Sequence, residues 1–312
     1  MSDPAWDSPG PAGTATVPTA ERPAVVVRPL RPDEAQAAHL SSFSTFAELD
    51  ARSGLSAPEH TPEVLRRGTA RVAHRQRTDP HGAWAAELDG RLVGVALAVR
   101  REGLWFLSLL TVEPGLQGAG VGRRLLEAAL GTAEDAAAGL VLSSADPKAL
   151  RRYARAGFAP TPGYVARGPL DRALLPAVPS VRESSLDRDG ELVEDVARSL
   201  RGAGFGPDLA FLQAFGARLL IADGPEGRGF AVLDGTRLRP LGATTTTAAR
   251  ALLWTALAES GPDVTVEFLT GGQQWAIDVV LAARLPLLPG SSVCTRGRLG
   301  PFTPYLPSGT IG

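Results

Sequence analysis

The sequence predicts an α/β protein of two similar domains in tandem, each a mixed, mostly antiparallel sheet flanked by helices. Three observations carry that expectation. The first is a meander punctuated by Asp89-Gly90 and Glu102-Gly103, which runs into a strand, glycine loop, helix, strand and helix that make a crossover unit. The second is a return of the same order of elements after a proline-bearing stretch, Pro169 to Pro179. The third is length: 312 residues suit two domains at roughly 150 residues each.

Met1 to Pro23 is rich in Pro, Ala, Thr, Ser and Gly and has neither the basic nor the apolar region of a signal peptide, so residues 1–23 read as a disordered tail. The first domain is expected over residues 24–172. Ala24 to Leu30 is β-branched and reads as a strand, and Arg31-Pro32-Asp33-Glu34 opens a helix through Ala35, Ala38, His39 and Phe43. Thr61 caps a second helix, Pro62 to Gln76. Ala83–Leu88, Leu92–Arg100 and Leu104–Val112 are the meander strands. After the glycine loop, Val121, Leu125, Leu126, Ala129 and Leu130 give a helix one apolar face, and Leu140-Val141-Leu142 is a short buried strand. Asp146-Pro147 caps a helix that Gly157 stops, and the strands flanking the crossover should be parallel neighbours.

The second domain is expected over 178–312. Its strands are Val181–Glu183, Arg218–Ala222, Arg228–Leu233, Arg237–Leu241 and Val264–Leu269, and its helices Glu191–Leu200, Pro207–Phe215, Thr245–Glu259 and Gln274–Arg284. Asp234-Gly235 repeats the earlier hairpin signal, and Gly202 to Gly206 reads as a helix stop. Arg298 to Gly312, with three prolines around Phe302 and Tyr305, reads as an extended tail that packs across the first domain.

Charge and composition exclude several function classes. Lys plus Arg number 32 against 33 Asp plus Glu, so no basic excess exists to neutralise nucleic acid or an anionic membrane. No apolar run approaches the ~18 residues of a membrane span. One cysteine, Cys294, permits neither an intrachain disulfide nor a Cys-cluster metal site, and fits a reducing, cytoplasmic setting. His39, His60, His74 and His81 show no metal spacing and no triad, and each reads as solvated or capping, with a substrate contact from His39 or His60 as the alternative. The expectation is therefore no metal, no nucleic acid, no membrane, and a monomer or homodimer.

The informative segment is Leu109 to Leu126, where a strand stops at glycines that open a helix. Such a junction aims several backbone N–H groups and the positive end of the helix dipole at one spot, which suits a phosphate. A nucleoside-triphosphate P-loop requires Gly-Lys-Ser/Thr, and here Gly122-Arg123-Arg124 stands; a dinucleotide fingerprint requires glycine where Arg123 stands. The segment therefore reads as a site for a diphosphate-like ligand without a P-loop lysine. The matching position of the second domain, Gly242 to Thr247, has one glycine and a run of threonines, and reads as a degenerate copy.

With Gln117, Gly120 and Gly122 behind Val112-x-Pro114, and Ala149, Tyr153 and Gly157-Phe158 following, the chain resembles the GCN5-related N-acetyltransferase (GNAT) superfamily over Ala24 to about Leu170. The resemblance implies acetyl-CoA as co-substrate. Its pyrophosphate would lie on the amides of Gln117, Gly118, Ala119, Gly120, Val121 and Gly122, with Arg123 nearby, and its pantetheine arm along Leu110, Thr111 and Val112 like an added strand. By the same resemblance Tyr153 is the acid that protonates the leaving thiolate, a sensible donor given a phenol's ordinary pKa near 10. Two positions depart from the family pattern: Asp146 stands where many relatives have asparagine, and Arg152 where an apolar residue is usual. Glu48, Asp50 and Glu59 sit in the helical region that the family uses for substrate, Glu87 and Glu102 lie on or beside meander strands and Glu113 in a loop, and none is singled out as a base.

The resemblance implies an N-acetyltransferase acting on a primary amine of a small molecule. The alternatives are a non-catalytic acyl-CoA sensor or scaffold, and a transferase using another acyl-CoA or an oxygen acceptor.

Overall fold

The computed structural model describes residues 25–52, 59–176, 178 and 180–312; the expected tail at 1–23 lies outside the described residues. The first half contains β1 (Val26–Pro29), α1 (Ala35–Arg52), α2 (Pro62–Thr78), β2 (Ala83–Leu88), β3 (Arg91–Arg101), β4 (Leu104–Val112), α3 (Val121–Leu130), β5 (Ala138–Ser144), α4 (Pro147–Arg155) and β6 (Ala159–Pro169). The second half repeats the order as β7 (Val181–Ser184), α5 (Leu186–Arg201), α6 (Pro207–Ala214), β8 (Arg218–Gly224), β9 (Gly227–Asp234), β10 (Arg237–Ala243), α7 (Thr246–Glu259), β11 (Asp263–Leu269), α8 (Gln274–Ala282) and β12 (Leu287–Gly297). A two-residue strand, β13 (Tyr305–Leu306), closes the chain.

The turn signals act as their chemistry requires. Asp89 and Gly90 both take positive φ at the β2–β3 hairpin, and Gly157 and Gly202 adopt the left-handed conformation that stops α4 and α5. Alternation along the strands sends Ala83, Ala85, Val95, Leu97 and Leu109 to the α1–α2 face and Ala86, Val93, Ala96, Trp105 and Leu107 to the α3–α4 face. The second half builds two corresponding cores, one under α5 and α6 and one under α7 and α8.

The halves share a single sheet of order β1-β2-β3-β4-β5-β12-β6-β11-β10-β9-β8-β7, with β13 on β10. The last long strand of each half has crossed into the other. β12 lies between β5 and β6, pairing Ser291–Gly297 with Ser144–Ala138, while β6 pairs Tyr164–Pro169 with β11. Neither strand is among those expected from the sequence. β6 carries Pro160 and Pro162, and β12 carries Pro289-Gly290, which demote a strand. They are tolerated because residues 159–163 pair with β12 alone and residues 287–289 with β6 alone, leaving one open edge at each proline.

Buried polar groups pin the halves together. Asp208, at the start of α6, is fully buried and accepts from His74 Nε2 at 2.9 Å, from Arg75, and from Arg101 Nη2 at 2.9 Å and Nε at 3.1 Å. Arg101 also grips Asp79 with two bonds of 2.9 Å. Burial alone would raise the Asp208 carboxyl; the His74 hydrogen bond and the charges of Arg75 and Arg101 hold it down at about 2. This corrects the reading of the histidines: His74 is an interior partner of a carboxylate and His39 is buried against α2, while His60 and His81 are exposed. Gly68 admits that packing, because any Cβ there would collide with the His39 ring.

The tail does reach the first half. Ser108 Oγ and Arg75 Nη2 both donate to the Thr310 carbonyl, at 3.3 and 2.6 Å, and residues 308–312 are mostly buried at the junction. Its upstream part enters the second half, where β13 pairs with Leu241 and Gly242 of β10. No described helix is long and apolar enough to cross a membrane.

Candidate active site

β4 and β5 pair in parallel only from Leu104–Leu107 against Ala138–Val141, and then separate. The cause is local. Opposite β3 the register slips between Leu97 and Ala98, so Ser108 is an extra residue in β4. A bulge bends its strand and strengthens the twist, here at the residue after which pairing to β5 stops.

The cavity so opened is lined by Ser108 to Val112 of β4, Leu142 to Ser144 of β5, Gln117, and Thr45, Phe46, Leu49 and Arg52 of α1. Asp146, Lys148, Ala149, Arg152 and Tyr153 close its other side. Glu113 donates its amide to Val93 of β3, so by alternation Leu110 and Val112 turn their peptide groups toward the gap. Thr111 is buried, its hydroxyl 3.1 Å from that of Ser42 on α1.

At one end of the gap stands the glycine loop. Gly118 and Gly120 have φ of 89° and 84°, and a Cβ on either would meet nothing within 4 Å, so the space before the loop is open. The amides of Gly118, Ala119, Gly120, Val121 and Gly122 make no hydrogen bond among the described residues, whereas that of Gln117 donates to Pro114. Five bare donors at the head of α3 are an arrangement that can hold an anion. The Gln117 side chain donates to the Val112 carbonyl at 3.1 Å and ties loop to strand. Arg123 points along α3, 70% exposed and 3.1 Å from Glu127; the cation over the loop is Arg152, whose guanidinium lies 2.9 Å from where a Gly122 Cβ would be.

At the other end is Tyr153. Asp146 caps α4 by accepting from the Lys148 amide at 2.9 Å, and the helix closes with Phe158 N–H on the Tyr153 carbonyl at 3.1 Å. Phe158 is buried against Trp105 with ring centroids 5.9 Å apart, which anchors the helix end and so aims Tyr153. The phenol is 6% exposed and has no hydrogen-bond partner among the described residues. Burial raises its pKa, so it stays protonated at neutral pH. Cys294, nearby on β12, is pushed up to about 11 by burial and holds its proton too.

The structure thus gathers Leu110, Thr111, Val112, Gln117 and Tyr153 around one cavity, while Gly118 to Gly122 and Arg123 are not among its lining residues and connect to it through Gln117 and through Arg152 beside Gly122. It does not bring the expected carboxylates there. Glu87 is held by Arg28, Glu102 by Arg198 and Glu113 by Arg91, and Glu48, Asp50 and Glu59 are absent from the lining. Asp146 is the one carboxylate lining it among the described residues. Thr45, Leu49 and Arg52 line the cavity although the sequence reading does not single them out, and their i, i+4, i+7 spacing on α1 is the signal that could have found them. Among the described residues no His, Cys, Asp and Glu side chains group to hold a metal ion.

The acetyltransferase (GNAT) domain family matches residues 58–167. The chain carries a GNAT domain in a tandem GNAT fold. A putative acetyltransferase from Pyrococcus horikoshii is 17% identical and superposes with a TM-score of 0.70 over 96% of this chain and 100% of its own. A GCN5-related N-acetyltransferase from Sphaerobacter thermophilus is 15% identical, with a TM-score of 0.55 over 87% and 95%. A tandem GNAT protein from the clavulanic acid biosynthesis pathway is 14% identical, with a TM-score of 0.52 over 87% and 98%. At these identities the likeness is one of fold, and it spans both halves. No curated protein matches the sequence.

Proposed function

We propose that the chain is an acetyl-CoA-dependent N-acetyltransferase whose single site lies between β4 and β5 and whose acceptor is a primary amine of a small molecule. The observation that carries this reading is the placement of a buried, protonated phenol and five bare loop amides on one gap between diverging strands. The amides of Gly118 to Gly122 and the Arg152 guanidinium suit the pyrophosphate, and the peptide edge of Leu110 and Val112, where among the described residues only the Val112 carbonyl is engaged, by Gln117, suits the amide-bearing arm.

When bound, acetyl-CoA supplies a thioester whose carbonyl carbon a neutral amine attacks, the C–S bond breaking as the C–N bond forms. Tyr153 then gives its proton to the departing sulfur. The burial that raises the phenol also disfavours a bare thiolate, so both partners shift in the same sense and the transfer remains matched. With Asp146 already capping α4, deprotonation of the ammonium falls to water. The rate constant for a given amine should accordingly rise with pH toward that amine's own pKa.

The test is thiol release on mixing protein, acetyl-CoA and a panel of aminoglycosides, polyamines, amino acids and peptides. Release with one class, lost in Tyr153→Phe, supports the reading. CoA binding with no release from any amine makes the protein an acyl-CoA sensor instead.

A further inference from the structure

Of the 32 basic residues in the chain one is a lysine, Lys148, and every other is an arginine. That lysine lines the cavity of the candidate site. Lys148, Ala149, Arg152 and Tyr153 all line it, and their i, i+1, i+4, i+5 spacing makes them one stripe of α4 turned to the gap. Helical side chains lean toward the helix N-terminus, so Lys148, in the first turn, leans toward the end of β5, whose Leu142 to Ser144 also belong to the wall.

Three cationic side chains share this lining: Arg52, Lys148 and Arg152. A guanidinium keeps its proton in a protein, whereas an ammonium on a flexible four-carbon stem can give its proton up and is then a nucleophile. Lys148 is thus the one amine in the wall among the described residues, at a site read above as joining an acetyl group to a primary amine. Its side chain is exposed and unengaged. Asp146, the one carboxylate in the lining, accepts from the Lys148 backbone amide at 2.9 Å, and the ammonium has no ion pair or hydrogen bond with any described residue. The positive end of the helix dipole and the like charge of Arg152 four residues on both oppose a cation there, so converting the ammonium to a neutral amide relieves both.

We propose that Lys148 is a self-acetylation site, its ε-amine taking one acetyl group from the acetyl-CoA bound by the same chain. This rests on the acetyl-transfer chemistry of the reading above and not on its small-molecule acceptor. The neutral amine attacks the thioester carbonyl carbon; the C–N bond forms, the C–S bond breaks, and its electron pair leaves on sulfur, which takes the Tyr153 proton. The proton shed by the attacking nitrogen passes to water, and water restores the phenol. Amine and thioester share one cavity, so the step needs no encounter between molecules. The product is an amide, which is no acyl donor, so the reaction stops at one acetyl group per chain and leaves free CoA.

The test incubates the full chain with acetyl-CoA and no added amine, and follows intact mass with peptide mapping. A single lysine keeps the readout simple, because mapping need separate Lys148 only from the α-amino group. The expected result is one acetyl group on Lys148, added with a rate constant that saturates in acetyl-CoA and does not change when the protein is diluted. Lys148→Arg, which keeps the charge, and Gly120→Val should show no such mark, and Tyr153→Phe should slow it by on the order of 10²-fold. An unmarked Lys148 overturns the proposal, and thiol release with added amines would then show the transferase reading still standing. A mark that grows in simple proportion to acetyl-CoA, or that is unmoved in Gly120→Val, is solution chemistry and also overturns it. A saturable, loop-dependent mark with no release from any added amine supports it, and the small-molecule acceptor is then the part that fails.

Discussion

In the first half β4 parts from β5 after Leu107, and no described strand enters the gap; in the second half β10 parts from β11 beyond Arg237, and β13 fills it. The device that opens each gap is the same, a register slip that adds a residue to β4 at Ser108 and to β10 between Leu238 and Leu241. The fate of each gap differs. Peptide groups exposed along a parted strand need partners, and in the second half the chain provides them itself: Tyr305 and Leu306 pair with Gly242 and Leu241, and Ala243 N–H donates to Pro304 O at 3.2 Å. The tail is anchored on both sides by Phe302 N–H on Leu200 O at 2.8 Å and Gln273 Nε2 on Phe302 O at 3.2 Å. Two copies of one architecture can thus divide the work, one keeping a ligand cleft and the other spending its cleft on holding the tail that reaches the first.

The largest effect that tests this contrast is on stoichiometry. Titration calorimetry with CoA should give one site per chain, and Gly120→Val should leave none. A side chain at Gly120 enters open space before the loop amides, where it blocks their ligand, and the positive φ adds only about 1–2 kcal/mol of strain. A site that survives this change would lie in the second half and invert the comparison.

The junction is next. Asp208→Asn removes the charge that three cationic or hydrogen-bonding partners face, and should lower stability by about 3–5 kcal/mol in urea melts. Its pH signature has a definite sign. With the folded value at about 2 and an unfolded value near 3.9, the contribution is complete above about pH 4 and is lost as pH falls toward 2. Acid melts of wild type should show that loss, and Asp208→Asn should lack it. If the variant instead melts in two separate transitions, each half carries its own stability and the shared sheet matters less than the pairing of β6 and β12 suggests.

Tyr153→Phe should lower kcat by on the order of 10²-fold with little change in acetyl-CoA affinity, the usual scale of general acid catalysis. An unchanged rate reduces Tyr153 to a packing residue and leaves the first cleft a binding site only.

Much of the fold and the loop is legible in the sequence because it is local chemistry. Asp89-Gly90, Asp146-Pro147 and Gly157 are turn and cap residues whose conformations follow from their own local chemistry, the glycines because they lack a Cβ, and the glycine loop declares its bare amides. The exchange of β6 and β12 is not legible, since each strand's second partner comes from the other half and its prolines argue locally for a loop. The engagement of Glu87 by Arg28, 59 residues away, and of Asp208 by Arg75, 133 residues away, is hidden for the same reason. In the second loop the threonines are the obstacle that the sequence displays; the tail strand, which no local pattern announces, is the second obstacle.

Which of the two obstacles closes the second cleft sets the smallest prediction. Thr245 takes up one donor at the head of α7 and both threonines tie the loop to the neighbouring hairpin: Thr244 Oγ1 accepts from Arg228 N–H at 3.0 Å, and Thr245 Oγ1 accepts from Ala248 N–H at 3.2 Å while donating to Glu226 O at 2.5 Å. Replacing both by glycine frees the head of α7 much as Gly118 and Gly120 free that of α3. Loss of a cap to glycine costs only a few tenths of a kcal/mol, so the fold should persist with a barely shifted urea midpoint. Yet β13 still covers Leu241 and Gly242, the stretch an incoming arm would have to pair with, and Tyr305 is packed against Gly242 with its hydroxyl bonded at 2.7 Å to Gly312 O. CoA titration of the Thr244→Gly, Thr245→Gly protein should therefore still give one site per chain. A second site appearing there would mean that the threonines alone had closed the cleft and that the tail strand is incidental to it.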